Sequence, residues 1–286
     1  MTVHSYPDLF GEILKRISSQ GHFVFVNVDK KVDDTPFKIA AETIENVFFT
    51  DGVKRSRVNW GGFSQIKATL DLLSTARKIQ PDYYHLISGQ DFPCVNTKAF
   101  DTFFEQHSGQ SFMHYDSKEE ALAWKYDKYP ERYKRYHFND LYIINRKVSN
   151  VFAGILTVLT KFIERPDIDN IAAGWSWFSW HKNVVEYIFD YLRNNPLYVK
   201  RFHFTSCCDE IFFHTILNSH TENLLINTKN ALRYIEWHPK REYYSLPLIL
   251  DEREYKDIIE SKAFFCRKVD PVKSSGLIKL LKTEDR

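Results

Sequence analysis

Apolar positions follow two rhythms over the first hundred residues. In DLFGEILKRI, residues 8–17, Leu9, Phe10, Ile13, Leu14 and Ile17 fall on one helical stripe behind Pro7. HFVFVNVD, 22–29, is instead an unbroken apolar run that stops at Asp29, and NVFFT, 46–50, is a second. Runs of this kind mark strands buried on both faces. Helical spacing returns at about 63–77, where Phe63, Ile66, Leu70 and Leu73 face inward. YYHLIS is the third strand, and Thr97 is a fitting N-cap for a helix that runs to about Gln106. Strand and helix thus alternate, which predicts an α/β fold with a mostly parallel sheet. Asp29 and the polar turn Ser88–Gly89–Gln90–Asp91 then share its carboxyl edge, where such sheets bind ligands.

The second half has a different texture. Residues 111–146 are dense in Tyr, Lys, Arg and His with weak periodicity, an ordered but irregular surface. Helices are expected at about 148–164, 181–194 and 209–218, with WSWFSW, 175–180, as a strand between the first two. Short strands follow at LLIN, LRYIEW and AFFCRKV. VFAGILTVLTKFI, from 151, is too short to span a bilayer and reads as a core helix. No repeat or low-complexity linker interrupts the chain, so one domain is expected. Within it, 1–108 form a nucleotide-binding half, 109–270 an acceptor and catalytic half, and 271–286 a tail.

Charge narrows the partners. Lys and Arg number 39 against 37 acids, a balance that a dedicated nucleic-acid binder would not show. The 23 Phe, 16 Tyr and 6 Trp make a Phe-rich core, or leave some Trp and Tyr as flat faces for a ligand such as a sugar ring. Cys94, Cys207, Cys208 and Cys266 form no CxxC pair, which suits reduced thiols in the cytosol. The N-terminus has no signal-peptide profile.

Three clusters carry candidate chemistry. In CCDEIFFHTILNS, 207–219, Asp209 fits a cap position, and Glu210 sits in the first helical turn with freedom to face a cleft, unless both acids only complement the helix dipole. In AFFCRKVD, 263–270, a strand delivers Arg267 and Lys268 together, fixed positive charge able to neutralise a diphosphate. In VNWGGFSQIK, Gly61 and Gly62 precede a helix whose N-terminus favours anions, although the P-loop pattern is missing.

Taken together, VNVDKK, VNWGGFS, LISGQDFP, GWSWFSW, CDEIFFHTIL and FCRKVD occur in the order seen in the core-2/I-branching glycosyltransferases, family 14, which the chain resembles from about residue 22 to 270. The resemblance implies a GT-A-type fold and inverting transfer of a sugar, N-acetylglucosamine first among the options, from a UDP-sugar to a glycan hydroxyl. No essential metal and no cofactor beyond the UDP-sugar are implied. Glu210 matches the family's catalytic base and Lys268 the lysine on the donor diphosphate. Asp29 stands where the family contacts uridine, Trp60 and Gly61 in the donor-side turn, and Gly89 and Asp91 at the base of the donor cleft. Arg132, in PERYKRY, resembles an acceptor-facing arginine, and Trp175, Trp177 and Trp237 are read as acceptor-side aromatics. The family's second diphosphate cation falls on Ser245 without gaps, so Lys240 or Arg241 fills that role after a local insertion, with Arg267 beside them. Only MTV precedes His4, where the family's first strand runs for several apolar residues, so the first strand is expected to be short or clipped. Four scattered cysteines suit bacterial relatives in the cytosol.

Rival readings exist. Asp167 and Asp169 form a DxD that a metal-dependent transferase would use, but they sit behind Pro166 in an expected loop. A non-catalytic sugar- or nucleotide-binding module would use the same aromatics, and His203, Cys207, Cys208 and His214 suggest a cysteine hydrolase only loosely. The basic tail GLIKLLK, 276–282, offers a peripheral contact with the inner face of a membrane, fitting a lipid-linked acceptor.

Overall fold

The computed structural model describes residues 1–117, 119–120, 129–238 and 246–283. The chain divides into two compact units, one comprising Met1–Arg55, His85–Gln110 and Asn230–Arg286, the other Ser56–Tyr84 and Ser111–Lys229.

The first unit is built on three parallel strands, Thr2–Val3, Val24–Val28 and Val47–Phe49, with Thr2 opposite Asn27 and Val24 opposite Val47. Val3, Val26 and Val28 are buried, but the edge strand departs from the burial on both faces that its unbroken apolar run predicts, since Phe48 is 46% exposed. The helix Pro7–Ile17 buries Leu9, Phe10, Ile13 and Leu14, the stripe that its spacing predicts. Thr2 also bridges Ser88 in parallel, and the Asp29 amide donates to the Val3 carbonyl at 2.8 Å. Asp29 and the Ser88–Asp91 turn therefore emerge at one carboxyl edge, as the alternation implies. A second sheet pairs Phe92–Pro93 antiparallel with Phe265–Arg267, which runs parallel to Arg233–Ile235. Helix Thr97–Gln106 is capped one residue earlier than expected, because the Asn96 side chain accepts from the Ala99 amide at 2.8 Å. The tail helix Ser275–Thr283 buries Leu277, Ile278 and Leu281, and the Arg16 guanidinium donates to the Leu281 carbonyl at 2.7 Å. Its apolar face is spent on packing rather than offered to a membrane.

The second unit holds a mixed sheet in the order Tyr83–His85, Phe178–His181, Ser111–Met113, Ile226–Asn227. Helix Ser64–Ala76 packs Ile66, Leu72 and Leu73 inward. Two expected elements are cut short for a visible reason. The helix expected at 209–218 becomes a tight 3₁₀ turn, Cys208–Glu210, followed by helix Phe212–Leu217. Ile211, at φ −125° and ψ −43°, leaves helical geometry and parts the two. The strand expected from Trp175 begins only at Phe178, since Gly174 and Ser176 are committed to contacts described below. A larger departure concerns Arg146–Leu159. It is a helix, but among its residues only Ser149 is buried, so it is no core helix.

Candidate active site

In the second unit, four sequence motifs converge on one carboxylate. The Glu210 amide donates to Cys207 at 3.2 Å, and the Glu210 carbonyl accepts the Gly174 amide at 3.0 Å. Cys207 in turn gives its amide to the Gly61 carbonyl at 2.9 Å. VNWGGFS, GWSWFSW and CDEIFF are thereby stitched together by backbone bonds. Only glycine fits at Gly174, for a Cβ there would lie 2.0 Å from the His114 carbonyl oxygen. Arg132, from the helix Tyr129–Lys134, completes the set: its Nη1 donates to Glu210 Oε2 at 2.6 Å.

The electrostatics of Glu210 suit proton transfer. Burial, and next the Asp209 carboxylate, push its pKa up to about 7, while Arg132 pulls it back and Asp116 adds a smaller push. A carboxyl poised near neutral pH is what general base catalysis calls for. Asp209 is held aside by Ser176 Oγ at 2.6 Å and Gln65 Nε2 at 3.2 Å, beside Glu210. His114, 3.4 Å from the Asp116 carboxylate, stacks on Trp175 with ring centroids 4.3 Å apart. Trp175 and Trp177 are half-buried, and Trp60 is 84% exposed, a bare aromatic face beside the glycine turn.

Arg132 therefore has a measurable role in addition to any contact with acceptor. Replacing it with glutamine removes a positive charge that favours the ionised Glu210. The acid limb of the kcat/KM–pH profile is expected to move alkaline from its position near 7. A limb that stays in place or moves acid contradicts the pairing.

The glycine turn departs from expectation in what it binds. The anion at the start of helix Ser64–Ala76 is the protein's own Asp140, which accepts from the Ser64 amide at 2.7 Å and the Ser64 hydroxyl at 2.5 Å. A Cβ on Gly62 would fall 2.2 Å from that carboxylate. Gly61, at φ 69°, donates its amide to Gln65 Oε1 at 2.6 Å, and its carbonyl also accepts from Asn139 Nδ2 at 2.9 Å. Its backbone groups are thus used inside the unit.

The first unit gathers the other expected residues. Asp91, 1% exposed, takes the Ser88 amide on one oxygen and Arg267 Nη1 on the other at 2.7 Å. Buried Arg233 adds its field behind them; burial lowers its pKa to about 10, and Asp91 opposes that shift. Gly89 lies close over Val3, where a Cβ would sit 3.2 Å from Cγ1. Asp29 is buried and receives both the Lys31 amide at 2.9 Å and its ammonium at 3.2 Å. Lys268 is half-buried, and burial, then Arg267, lower its pKa, with Asp270 opposing. Among the described residues no carboxylate forms an ion pair with its ammonium. His4 shares this neighbourhood: burial lowers its pKa, Asp29 raises it, and Lys268 and Lys31 lower it. Lys268 thus stands beside Arg267 with no ion-pair partner among the described residues, a placement suited to a polyanionic ligand.

Trp237 follows strand Arg233–Ile235 in the same unit, and its buried indole nitrogen has no hydrogen-bond partner among the described residues. Lys240, Arg241 and Ser245 lie outside the described residues.

The residues of the rival readings lie in the second unit. Asp167 is exposed and pairs with Lys134 at 3.0 Å, so a cation already meets its charge. Among the described residues no group of three or more His, Cys, Asp or Glu is arranged to hold a metal ion. Burial, with Glu210 adding to it, pushes the Cys207 thiol up to about 12, which suppresses the thiolate that a hydrolase needs. Burial likewise drives His214 down to about 3, and its Nε2 bonds to the His114 carbonyl at 3.0 Å.

Sequence reading missed Gln65, Ser176, Asp140 and Arg233. Only Arg233, a charge inside the apolar run LRYI, left a visible signal. The sequence profile of the Core-2/I-Branching enzyme family matches residues 5–258. A search of curated proteins finds no match.

Proposed function

The chain belongs to the core-2/I-branching enzyme family and is a glycosyltransferase of mixed α/β, GT-A-type fold that joins a nucleotide-sugar donor to a glycan acceptor; from this premise we propose that it carries out an inverting, metal-independent transfer from a UDP-sugar, with Glu210 as base. The acceptor hydroxyl gives its proton to the Glu210 carboxylate as its oxygen bonds to the anomeric carbon. The bond from that carbon to the diphosphate oxygen breaks, and UDP departs with the electron pair. Lys268 meets the charge that develops on the diphosphate. Arg267 supports it from its seat on Asp91, and Asp29 bonds the uridine. Arg132 sets the ionisation of Glu210 and, with the Trp175 and Trp177 rings, meets the acceptor. Trp60 offers its exposed face to the donor sugar. A binding module without catalysis is set aside by family membership.

One observation supports this reading above the others: a carboxyl lifted to about 7, in a polar setting held by three separate motifs. N-acetylglucosamine is the first donor to test. A panel of UDP-sugars, each assayed with acceptor glycans in the presence of a strong chelator, is expected to show one donor consumed at the rate found without chelator. Activity that vanishes in chelator and returns with a divalent cation contradicts metal independence and brings Asp167 and Asp169 back.

A further inference from the structure

The helix Arg146–Leu159 is held at both ends and bare along one face between them. At its start Asn145 caps the Val148 amide at 3.0 Å, and the Ser149 hydroxyl donates to the Asn145 carbonyl at 2.7 Å. Beyond its end, the buried Arg165 guanidinium donates to the Phe204 carbonyl at 2.8 Å and to Thr205 Oγ1 at 3.1 Å. Between these ends Ala153 and Leu156 are half-buried, while the opposite face is left uncovered by the described residues. Val151, Phe152, Ile155, Val158, Leu159 and Phe162 are all exposed, Val158 at 71% and Phe162 at 88%. Their spacing of one, three and four residues places them along one stripe. A helix of this length gains little stability alone in water, so the fold has gone to the trouble of ordering an apolar face without burying it.

Charge says what suits that face. Between Arg146 and Ile163 there is no acidic residue, while Arg146, Lys147 and Lys161 stand exposed at the two ends of the stripe. The acids that flank the segment are engaged elsewhere: Asp140 caps Ser64, and Glu164 pairs with Arg135 at 3.3 Å. Fourteen residues span about 21 Å, short of the roughly 30 Å hydrocarbon layer, so the helix can lie in a bilayer surface but not cross it. We propose that Arg146–Ile163 is a membrane-surface element that seats this enzyme on anionic lipid, with the apolar stripe among the acyl chains and the three cations at the headgroups. The seat belongs to this helix and not to the C-terminal tail, which buries Leu277, Ile278 and Leu281 and leaves only Leu280 exposed among its leucines and isoleucine. It does not rest on the assignment of Glu210 or of the donor.

Co-sedimentation of the full chain with vesicles of mixed phosphatidylglycerol and phosphatidylcholine tests it, against vesicles of phosphatidylcholine alone. The protein is expected to pellet with the anionic vesicles, more weakly as salt rises. The triple variant Phe152→Gln, Ile155→Gln, Val158→Gln should bind at least about a hundred-fold more weakly, because each change removes an apolar side chain that the acyl layer would cover. Arg146→Gln and Lys147→Gln should each cost about five-fold. All these variants should keep their melting temperature and their turnover with a water-soluble acceptor, and the tail variant Lys279→Gln, Leu280→Gln should bind vesicles as the parent does. A parent chain that stays in the supernatant, or a triple variant that pellets equally well, overturns the proposal. So does self-association that the triple variant abolishes while no vesicle binding is seen, which would assign the face to a second copy of the chain.

Discussion

Glu210→Gln is expected to lower kcat by about 100- to 10,000-fold while leaving UDP binding near its original strength. The substitution keeps the shape of the side chain and a carbonyl oxygen for Arg132, so the backbone stitching through Cys207 and Gly174 has no reason to change. Only the capacity to take a proton is lost. Stability gives a second readout with a definite sign. The native pKa of Glu210 lies near 7, above the ordinary 4.5 of a glutamate, so the folded state binds this proton more tightly than the unfolded chain. That contribution is present at low pH and fades as pH rises from about 4.5 to about 7. The variant lacks it. Its melting temperature relative to the parent is therefore expected to improve between pH 5 and pH 8, and a relative decline over that range contradicts the burial of an ionisable Glu210.

Lys268→Ala carries the second large effect. Removing a cation that meets a developing diphosphate charge is expected to reduce kcat/KM by about 100- to 1,000-fold and to weaken UDP binding in parallel. Lys268→Arg should restore part of both. The protein should stay folded, because among the described residues no carboxylate depends on this ammonium for its charge balance. Arg267→Ala makes an instructive contrast, since it strands buried Asp91 without its partner and should destabilise the first unit as well as slow the reaction. Near-normal turnover and UDP affinity in Lys268→Ala would remove the lysine from the donor site.

Much of this was legible before any coordinates. Apolar runs ending in Asp29 and in the Ser88–Asp91 turn are strands or strand-edge turns whose polar ends share an edge, because alternation of strand and helix dictates that winding. Glu210 could be singled out within CCDEIFF, yet its raised pKa could not. That shift comes first from burial and next from the Asp209 carboxylate, against the pull of Arg132, and Gln65, which holds Asp209, lies 144 residues from it in sequence. Local spacing also hid the break at Ile211, which parts the turn carrying Glu210 from the helix that follows. Asp140 at the glycine turn is a similar long-range partner, 76 residues from Ser64. The apolar letters of VFAGILTVLTKFI were read correctly as a helix and wrongly as core. A stripe has the same composition whether or not the fold supplies something to cover it.

The central claim is that Glu210 holds its proton until near neutral pH and gives it up in the form that attacks. Isotope labelling of glutamate carboxyl carbons, followed by an NMR pH titration of the parent and of Glu210→Gln, observes that proton directly. One carboxyl should titrate near pH 7, match the acid limb of kcat/KM, and be missing from the variant. If every glutamate titrates in the ordinary carboxylate range, with no signal lost near neutrality in the variant, Glu210 is not the poised base described above.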